Sequence, residues 1–175
     1  MEIKVLSPEI DSSYLDLIGK LRVSVWSYQL GRAVFSGEKW CDEHDQHAFH
    51  WVVMNDENEL IASARLSIHN NIADLPDFNE IQGLITELPK PIAMMSRLVV
   101  SPTYQRLGIS QKIDLARLQK AKQMGIQSLV LQVPHYRRKS IEKLGFKCLG
   151  KAIDKTFKHS DNIDFFLYTK VMNDE

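Results

Sequence analysis

Residues 92–110 read IAMMSRLVVSPTYQRLGIS, a stretch that joins two kinds of local structure. Its apolar first half predicts a buried β-strand with one arginine, Arg97, set within it. From Ile109 onward, apolar residues recur at helical spacing, and Gly125 predicts the end of that helix. The residues in between therefore connect a strand to a helix.

The rest of the chain predicts further strands and helices. Strands are predicted at EIKVL, AFHWVVM, LIASARLSI, SLVLQV, KCLGKAI and IDFFLYTKVM, and helices at SSYLDLIGKLRVSVWSYQL and RRKSIEKLGF. A shorter helix is predicted around residues 81–86, in the long connection that precedes the strand at 92–100. The order β-α-β-β-β-α-β-α-β-β predicts a mixed α/β sheet with at least one strand–helix–strand crossover. We find no repeat and no linker, so the sequence predicts one domain over residues 1–175.

Composition and charge exclude several classes of protein. Lysine plus arginine and aspartate plus glutamate number 22 each, so nothing global favours nucleic acid or anionic lipid. No apolar run approaches the roughly 18–20 residues that span a bilayer, and the N-terminus does not resemble a signal peptide. Two cysteines without paired spacing suit a reducing compartment. We therefore expect a cytoplasmic protein with no nucleic-acid or membrane partner.

The connection into the helix has the properties of a phosphate-binding loop. The first N–H groups of a helix lack partners and carry partial positive charge, so an anion is stabilised there. Gly108 and Ser110 are small enough to let phosphate oxygens reach the backbone, and Gln105 and Arg106 can add donors. A lone glycine between a strand and a helix can also serve merely as a turn, so the loop alone leaves both interpretations open.

The stretch 105–110, Gln-Arg-Leu-Gly-Ile-Ser, resembles the acyl-coenzyme A signature of the GNAT acyltransferases, Gln/Arg-x-x-Gly-x-Gly/Ala. SRLVVSP before it, and SLVLQVP and EKLGF after it, fall where that family has its fourth strand, its fifth strand and a following turn. Ser110 departs from the pattern but is small. The resemblance covers roughly residues 90–150. It implies the GNAT fold, an α/β fold with a mixed, mostly antiparallel central sheet flanked by helices, and acetyl-CoA or another acyl-CoA as co-substrate.

The resemblance also implies roles for individual residues. The pantetheine arm pairs with the strand backbone and the pyrophosphate binds the loop. The residues concerned are Leu98, Val99 and Val100 for the arm, and Gln105, Arg106, Leu107, Gly108, Ile109 and Ser110 for the pyrophosphate. The fourth and fifth strands separate to admit the thioester, and the amine of a small molecule attacks its carbonyl directly while a base removes the amine proton.

Many GNAT enzymes have a tyrosine as general acid in Tyr-x-Lys-x-Gly-Phe, and this chain departs from that motif. Ile141 stands at the tyrosine position. A thiolate leaves without a strong acid, so the departure does not exclude catalysis. His135 and Tyr136, just after the fifth predicted strand, are alternatives, and Arg97 is a third candidate for a role in turnover.

The N-terminal half resembles a second group, the acyl-homoserine lactone synthases, which share the GNAT fold. The similar residues are Arg22, Trp26, Leu30-Gly31-Arg32, Asp42, Asp45, Arg65 and Ser96-Arg97. Met94 stands where those enzymes have a glutamate, and they usually lack the clear pyrophosphate loop, which implies a related site with a different reaction. In such a site the two aspartates bind an ammonium group, and Arg65 or Arg97 binds a carboxylate. The alternative is an ion-pair network that holds residues 31–47 on the sheet.

Cys41, His44, His47 and His50 recur at every third position, a spacing that matches no common zinc signature. We expect no metal site.

Three interpretations of function stay open. The first is an N-acetyltransferase that uses acetyl-CoA and a small-molecule amine, and the second is a longer-chain acyltransferase related to the lactone synthases. The third is a non-catalytic acyl-CoA-binding module, which the isoleucine at the tyrosine position motivates. The sequence leaves the oligomeric state open, a homodimer included.

Overall fold

The computed structural model describes residues 1–33, 35–157 and 162–172. Within them the chain forms strands β1 (Glu2–Leu6), β2 (Phe49–Met54), β3 (Leu60–His69), β4 (Ile92–Val100), β5 (Ser128–Pro134), β6 (Lys147–Lys151) and β7 (Phe165–Val171). The α-helices are α1 (Ser12–Leu30), α2 (Phe78–Ile81), α3 (Ile109–Gln123) and α4 (Arg138–Glu142). The predicted order of elements is confirmed.

The short helix before β4 lies earlier in the chain than predicted. The sequence predicts it around residues 81–86, whereas α2 ends at Ile81 and Gln82 pairs with Ile85 in a β-bridge. Gly83 has a φ of 88°, a left-handed conformation that a right-handed helix cannot contain. The predicted placement is wrong by about one turn, because apolar spacing alone does not reveal where a glycine reverses the backbone.

The strands are hydrogen-bonded in the order β1-β2-β3-β4-β5-β7-β6. The pairs β1–β2, β2–β3, β5–β7 and β6–β7 are antiparallel. Strands β4 and β5 are parallel, and their register joins Ile92–Met94 to Ser128–Val130. A parallel pair needs a crossover connection, which contains α3, as predicted. The mixed, mostly antiparallel sheet of the predicted fold class is thus confirmed. Separation of the two strands beyond this register stays a prediction.

Contacts between residues divide the chain into two compact units. Unit 1 comprises Met1–Ser67 and Ser96–Arg117, and unit 2 comprises Ile68–Met95 and Leu118–Glu175. The boundary passes through β4, so the second half of this strand and the loop after it belong to unit 1. The organisation of residues 1–175 as a single domain stays a prediction.

In unit 1, α1 begins and ends at residues suited to those positions. The Asp11 side chain accepts a hydrogen bond from the Ser13 N–H at 2.7 Å, and Gly31 ends the helix with a φ of 64°. The buried residues of the helix are Ile18, Gly19, Arg22, Val25 and Trp26. Ile18 belongs to an apolar cluster that includes Val52 of β2. Arg22 therefore lies on the buried face of α1 despite its charge.

Residues 39–41 cross α1 at Gly19. The Trp40 N–H donates to the Gly19 carbonyl at 3.1 Å. A Cβ on Gly19 would lie 2.7 Å from the Cys41 Sγ and 2.9 Å from the Lys39 Cβ, closer than nonbonded atoms approach each other. The absence of a side chain at this helix position thus sets how near the following residues, Asp42 among them, can come to the helix.

In unit 2, Glu80 of α2 holds the chain that follows β6. Its carboxylate accepts hydrogen bonds from the N–H groups of Lys155 and Thr156 at 3.1 and 2.6 Å and from the Gln132 side chain at 2.8 Å. A buried carboxylate needs such partners, and Glu80 is 4% exposed. Because α2 is too short to be stable by itself, contacts of this kind determine its position.

Replacement of Gly19 by alanine should destabilise the protein, against the usual effect of this substitution. In a helix interior alanine is ordinarily more favourable than glycine by about 1 kcal/mol. Here the added Cβ collides with Lys39 and Cys41, and overpacking typically costs about 1–3 kcal/mol. We expect a lower free energy of unfolding in urea. Gly37→Ala is the control, because the nearest atom to its added Cβ is 3.7 Å away. A stabilised Gly19→Ala variant would contradict the close packing.

Candidate functional site

The loop between β4 and α3 contains two left-handed residues, Arg106 with a φ of 64° and Gly108 with a φ of 76°. The Gly108 carbonyl accepts a bond from the Lys112 N–H at 3.1 Å and so begins the helical hydrogen bonding of α3. Among the described residues, no atom outside Gly108 and its two chain neighbours lies within 4 Å of the position that a Cβ on Gly108 would occupy. The start of α3 is therefore open to an approaching group, as a phosphate-binding loop requires.

Hydrogen bonds hold this loop in place from its base. The Ser101 N–H donates to the Ile61 carbonyl of β3 at 2.8 Å, and the Asn55 side chain donates to the Tyr104 hydroxyl at 3.1 Å. The Gln105 side chain donates to the Val100 carbonyl at 3.1 Å. One donor of Gln105 thus closes the turn, whereas Arg106 is exposed and can present its guanidinium to an anion.

Arg97 has a φ of 55° in the middle of β4. Left-handed backbone is rare for a residue with a side chain and is typical of functional sites. The Arg97 guanidinium contacts Asp42 at 2.8 Å and lies 4.2 Å from the centre of the Trp40 ring, which stacks on Phe35. An arginine within an apolar strand is stabilised by an opposite charge, and the half-buried Asp42 supplies it. Beyond Arg97, Val99 is buried and its two neighbours are half-buried.

Arg22, Asp42, Asp45, Arg65 and Arg97 are all in unit 1 and form one connected group, the arginine–aspartate network. Asp45 binds Arg22 through both carboxylate oxygens, each at 2.9 Å, and binds Arg65 at 2.9 Å. Asp42 contacts Arg65 and Arg97 through its two oxygens. The network therefore ties α1, β3 and β4 to the segment that precedes β2.

Backbone groups complete the network. The Asp42 N–H donates to Asp45 at 2.8 Å, and Arg22 donates to the Trp40 carbonyl at 3.1 Å. The His50 Nε2 lies 2.8 Å from the Asp45 carbonyl oxygen. Buried charges are tolerated when such hydrogen bonds surround them, so the segment and the network stabilise each other.

The two aspartates are anionic at neutral pH. Burial opposes ionisation of both, but the guanidinium groups outweigh it: Arg65 and Arg97 lower the pKa of Asp42, and Arg22 and Arg65 lower that of Asp45. Burial lowers the pKa of His50 to about 4, so this histidine is neutral at pH 7. Three arginines and two aspartates leave the network with one positive charge.

The network is buried at one end and accessible at the other. The side chains of Arg22, Asp45 and Arg65 are 0–1% exposed, whereas Asp42 is 23% and Arg97 is 9% exposed. The buried end has the form of the predicted ion-pair network that holds the segment on the sheet. At the accessible end, Asp42 and Arg97 can contact a small molecule that enters from solvent. Trp26, predicted with this group, is buried in α1 at 8% exposure.

The other two candidate catalytic residues are in unit 2. His135 and Tyr136 lie in a 3₁₀ turn directly after β5, and their rings meet edge to face at 5.4 Å. Both are exposed, and the His135 N–H donates to the Asp164 carbonyl at 2.7 Å. Ile141, at the family's tyrosine position, is buried in α4. Roles for His135 and Tyr136 in proton transfer stay predictions.

Sequence reasoning missed a buried ion pair on α3. Asp114 and Arg117 have side chains 2% and 1% exposed and meet at 2.6 Å. Arg117 also donates to the carbonyls of Arg65 and Ser96 at 3.0 and 3.3 Å. The available signal was a pair of opposite charges three residues apart, beside the apolar face of the helix.

No group of three or more histidine, cysteine, aspartate or glutamate side chains among the described residues is placed to hold a metal ion. Cys41 and His47, which belong to the series at every third position, have different partners. The Cys41 thiol lies 3.4 Å from the Leu15 carbonyl oxygen, and His47 contacts Glu9 at 2.8 Å. Likewise, within the described part of the chain, no helix is both long enough and apolar enough to cross a membrane.

Asp45→Asn should destabilise the protein far more than Asp42→Asn. The first change leaves Arg22 and Arg65 buried without their shared carboxylate, and breaking one side of a buried ion pair costs about 3–5 kcal/mol. Water can replace part of the Asp42 carboxylate, which is 23% exposed, so we expect a loss of about 1–2 kcal/mol. Urea unfolding measures both losses, with Glu43→Gln as an exposed control. Equal losses at the two aspartates would contradict this difference.

His50 should reduce the stability of the folded state as the pH falls from 6.5 to 4. Its pKa is lowered from 6.5 to about 4, so between these values the unfolded state binds a proton that the folded state does not. The free energy of unfolding therefore rises with pH in this window. The full difference is about 3 kcal/mol, since one pKa unit corresponds to about 1.4 kcal/mol.

Urea unfolding across this pH range tests the assignment. His50→Gln should flatten the dependence, because it removes the group that the unfolded state protonates in this window. An unaltered slope in His50→Gln would show that another group is responsible.

Comparison with known proteins identifies the family. Residues 16–146, more than half of the chain, match the Acetyltransferase (GNAT) family. No curated protein matches the chain. Among solved structures, an acyl-CoA N-acyltransferase from Pseudomonas aeruginosa is similar, with a TM-score of 0.65 and 14% identity over 97% of this chain and 99% of that one.

Two acyl-homoserine lactone synthases are also similar in structure. BjaI, a CoA-dependent enzyme whose structure contains SAM and isopentyl-CoA, has a TM-score of 0.73 and 14% identity over 98% of this chain and 83% of that one. LasI has a TM-score of 0.71 and 17% identity over 98% of this chain and 91% of that one. At these identities the structures show a shared fold, and the family match establishes that the chain belongs to the GNAT acetyltransferase family.

Proposed function

We propose that the protein is an N-acyltransferase that moves the acetyl group of acetyl-CoA to the amine of a small molecule. The observation that carries this proposal is the loop at residues 105–110, with its left-handed Arg106 and Gly108, at the start of α3. In this proposal the backbone of the loop and the Arg106 guanidinium bind the pyrophosphate. Leu98, Val99 and Val100 pair with the pantetheine arm, as an added strand would.

The proposed reaction is direct attack on the thioester. The amine nitrogen bonds to the thioester carbonyl carbon, the carbon–sulfur bond then breaks, and the CoA thiolate leaves with the electron pair. The amine loses one proton to a base and the leaving thiolate can take one up, and His135 and Tyr136 stay the candidates for proton transfer. The thiolate is a stable leaving group, which is compatible with a buried isoleucine where many relatives have a tyrosine.

For the acceptor, we propose a small molecule that carries both an ammonium group and a carboxylate. Support comes from the accessible end of the arginine–aspartate network, where Asp42 and Arg97 present opposite charges. Asp45, at 1% exposure, then acts by holding Arg22 and Arg65 in place. Because the network has one excess positive charge, an acceptor with a carboxylate is favoured over a simple diamine.

A longer-chain acyltransferase is the second candidate. It is supported by the similarity in fold to BjaI, whose structure contains SAM and isopentyl-CoA, and by the residues shared with lactone synthases. Met94, where those enzymes have a glutamate, favours a different reaction at a related site. A non-catalytic acyl-CoA-binding module is the remaining alternative.

Binding and turnover assays separate these candidates. Acetyl-CoA and acyl-CoAs of increasing chain length are titrated by calorimetry, and release of free thiol is followed with a panel of amines and amino acids. We expect acetyl-CoA to bind and an amino acid to accelerate thiol release. Faster turnover of a longer acyl-CoA would favour the second candidate, and binding without turnover would favour the third. If no CoA species binds, all three are wrong.

Gly108→Ala tests the loop directly. The added methyl group enters the space where the pyrophosphate is proposed to bind, so we expect acyl-CoA affinity to fall roughly tenfold, or about 1.4 kcal/mol. Gly125→Ala is a matched control. Gly125 follows the C-terminal end of α3 and has a φ of 67°, and among the described residues no atom outside its chain neighbours lies within 4 Å of an added Cβ. Both variants should lose similar stability from backbone strain. Equal effects on acyl-CoA binding would contradict the role of the loop.

A further inference from the structure

An ion pair is an unexpected component of the buried face of α3. Asp114 and Arg117 lie among buried apolar residues such as Ile113, with their own side chains 2% and 1% exposed. Apolar side chains of similar volume would pack there without the desolvation that burying two charges requires. Packing of the helix therefore does not explain the pair, and the contacts of Arg117 with the sheet have to be considered.

The Arg117 guanidinium binds three groups from one planar fork. Its Nη2 donates to Asp114, and its Nη1 donates to the carbonyls of Arg65 in β3 and Ser96 in β4 at 3.0 and 3.3 Å. The Asp114 carboxylate balances the charge and sets the orientation of the fork. The Arg117 side chain of α3 is thus hydrogen-bonded to the backbone of both β3 and β4. All four residues of this arrangement, Arg65, Ser96, Asp114 and Arg117, belong to unit 1.

The bound carbonyl of Ser96 comes directly before the left-handed residue of β4. Arg97, with a φ of 55°, holds a conformation that persists when its surroundings constrain it from several directions. Arg117 constrains the backbone before it, and the Ser96 hydroxyl accepts a hydrogen bond from the Arg65 Nε at 3.1 Å. Asp42 constrains its side chain. Of these contacts, the one made by Arg117 acts on the main chain itself.

We propose that Arg117 is a positioning residue for acyl transfer, one that acts through the β4 backbone rather than by touching a substrate. By binding the Ser96 carbonyl, Arg117 keeps the Arg97 backbone in its left-handed conformation. It thereby orients the following residues, Leu98 to Val100, along the path proposed for the pantetheine arm. The same helix begins at the pyrophosphate loop, about 12 Å from Arg117 at 1.5 Å per residue. One rigid helix thus sets the spacing between the loop and the strand. This inference rests on the proposed function.

The test removes both charges together, so that no uncompensated ion is left buried. In Asp114→Leu/Arg117→Met the apolar replacements should keep the protein folded with an unchanged or higher melting temperature. We expect kcat to fall at least tenfold, while the Kd for ADP, which has the pyrophosphate but lacks the pantetheine arm and so depends on the distant loop, changes less than twofold. Hydrogen exchange of the amides at residues 96–100 should accelerate at least tenfold, and that at residues 105–110 should not.

Two further variants keep the test decisive. Arg117→Lys retains the charge but cannot bind three groups from a planar fork, so it should lower kcat part of the way. Ile113→Val removes one methyl group from a side chain that is 0% exposed and should lower the melting temperature without changing kcat. A double variant with wild-type kcat and wild-type exchange at residues 96–100 would overturn the inference, and so would faster exchange with unchanged kcat.

The wild-type measurements separate failure of this inference from failure of the proposed function. Should the wild-type protein turn over no acyl-CoA with any amine, the proposed function is wrong and the inference falls with it. An active wild type beside an equally active double variant would overturn the inference alone.

Discussion

The candidate site of unit 1 depends on the ion pairs that the buried Asp45 carboxylate makes with Arg22 and Arg65. The carboxylate binds Arg22 through both oxygens and also Arg65, so α1 and β3 are joined through one residue of an otherwise irregular segment. Removing a charge from water is expensive, and this carboxylate is tolerated because guanidinium and backbone N–H groups surround it. The same contacts position the segment so that Asp42 reaches Arg97. They therefore set the geometry of the accessible end of the network.

Conformational strain is concentrated along the stretch from β4 into α3. Arg97, Arg106 and Gly108 all have a positive φ, and two of them have side chains that make this conformation unfavourable. Such residues persist where the surroundings hold them, and here an ion pair, a ring contact and an arginine from α3 act at β4. The strain lies in the part of the chain proposed to bind the acyl-CoA, which accords with preorganisation of a site before its ligand arrives.

Structural and functional roles need not exclude each other in the arginine–aspartate network. Its buried members hold a segment in place, and apolar groups of similar volume can replace a buried ion pair with little loss of stability. The members at the accessible end inherit that orientation. A charged group held in a single direction can discriminate among acceptors, because a misplaced partner loses its hydrogen bonds without recovering those it had in water. The network thus links the stability of unit 1 to the proposed choice of substrate.

The sequence by itself determined the order of strands and helices, the position of the loop at Gly108 and the membership of the family. Each of these depends on local pattern: apolar periodicity, a glycine where φ is positive, and residues at fixed spacing within a few positions. Its main local error, the short helix before β4, arose because apolar spacing does not reveal the left-handed conformation of Gly83.

Which charges meet, and which carbonyls Arg117 binds, was decided by the tertiary structure alone. Arg22 and Asp45 are 23 positions apart, and Arg117 and Arg65 are 52 apart. Contacts over such separations depend on how strands pair and how closely a segment approaches a helix, as Gly19 allows here. Periodicity encodes the buried face of one element, but a hydrogen bond between two elements also requires their relative position, and that position exists only in the folded chain.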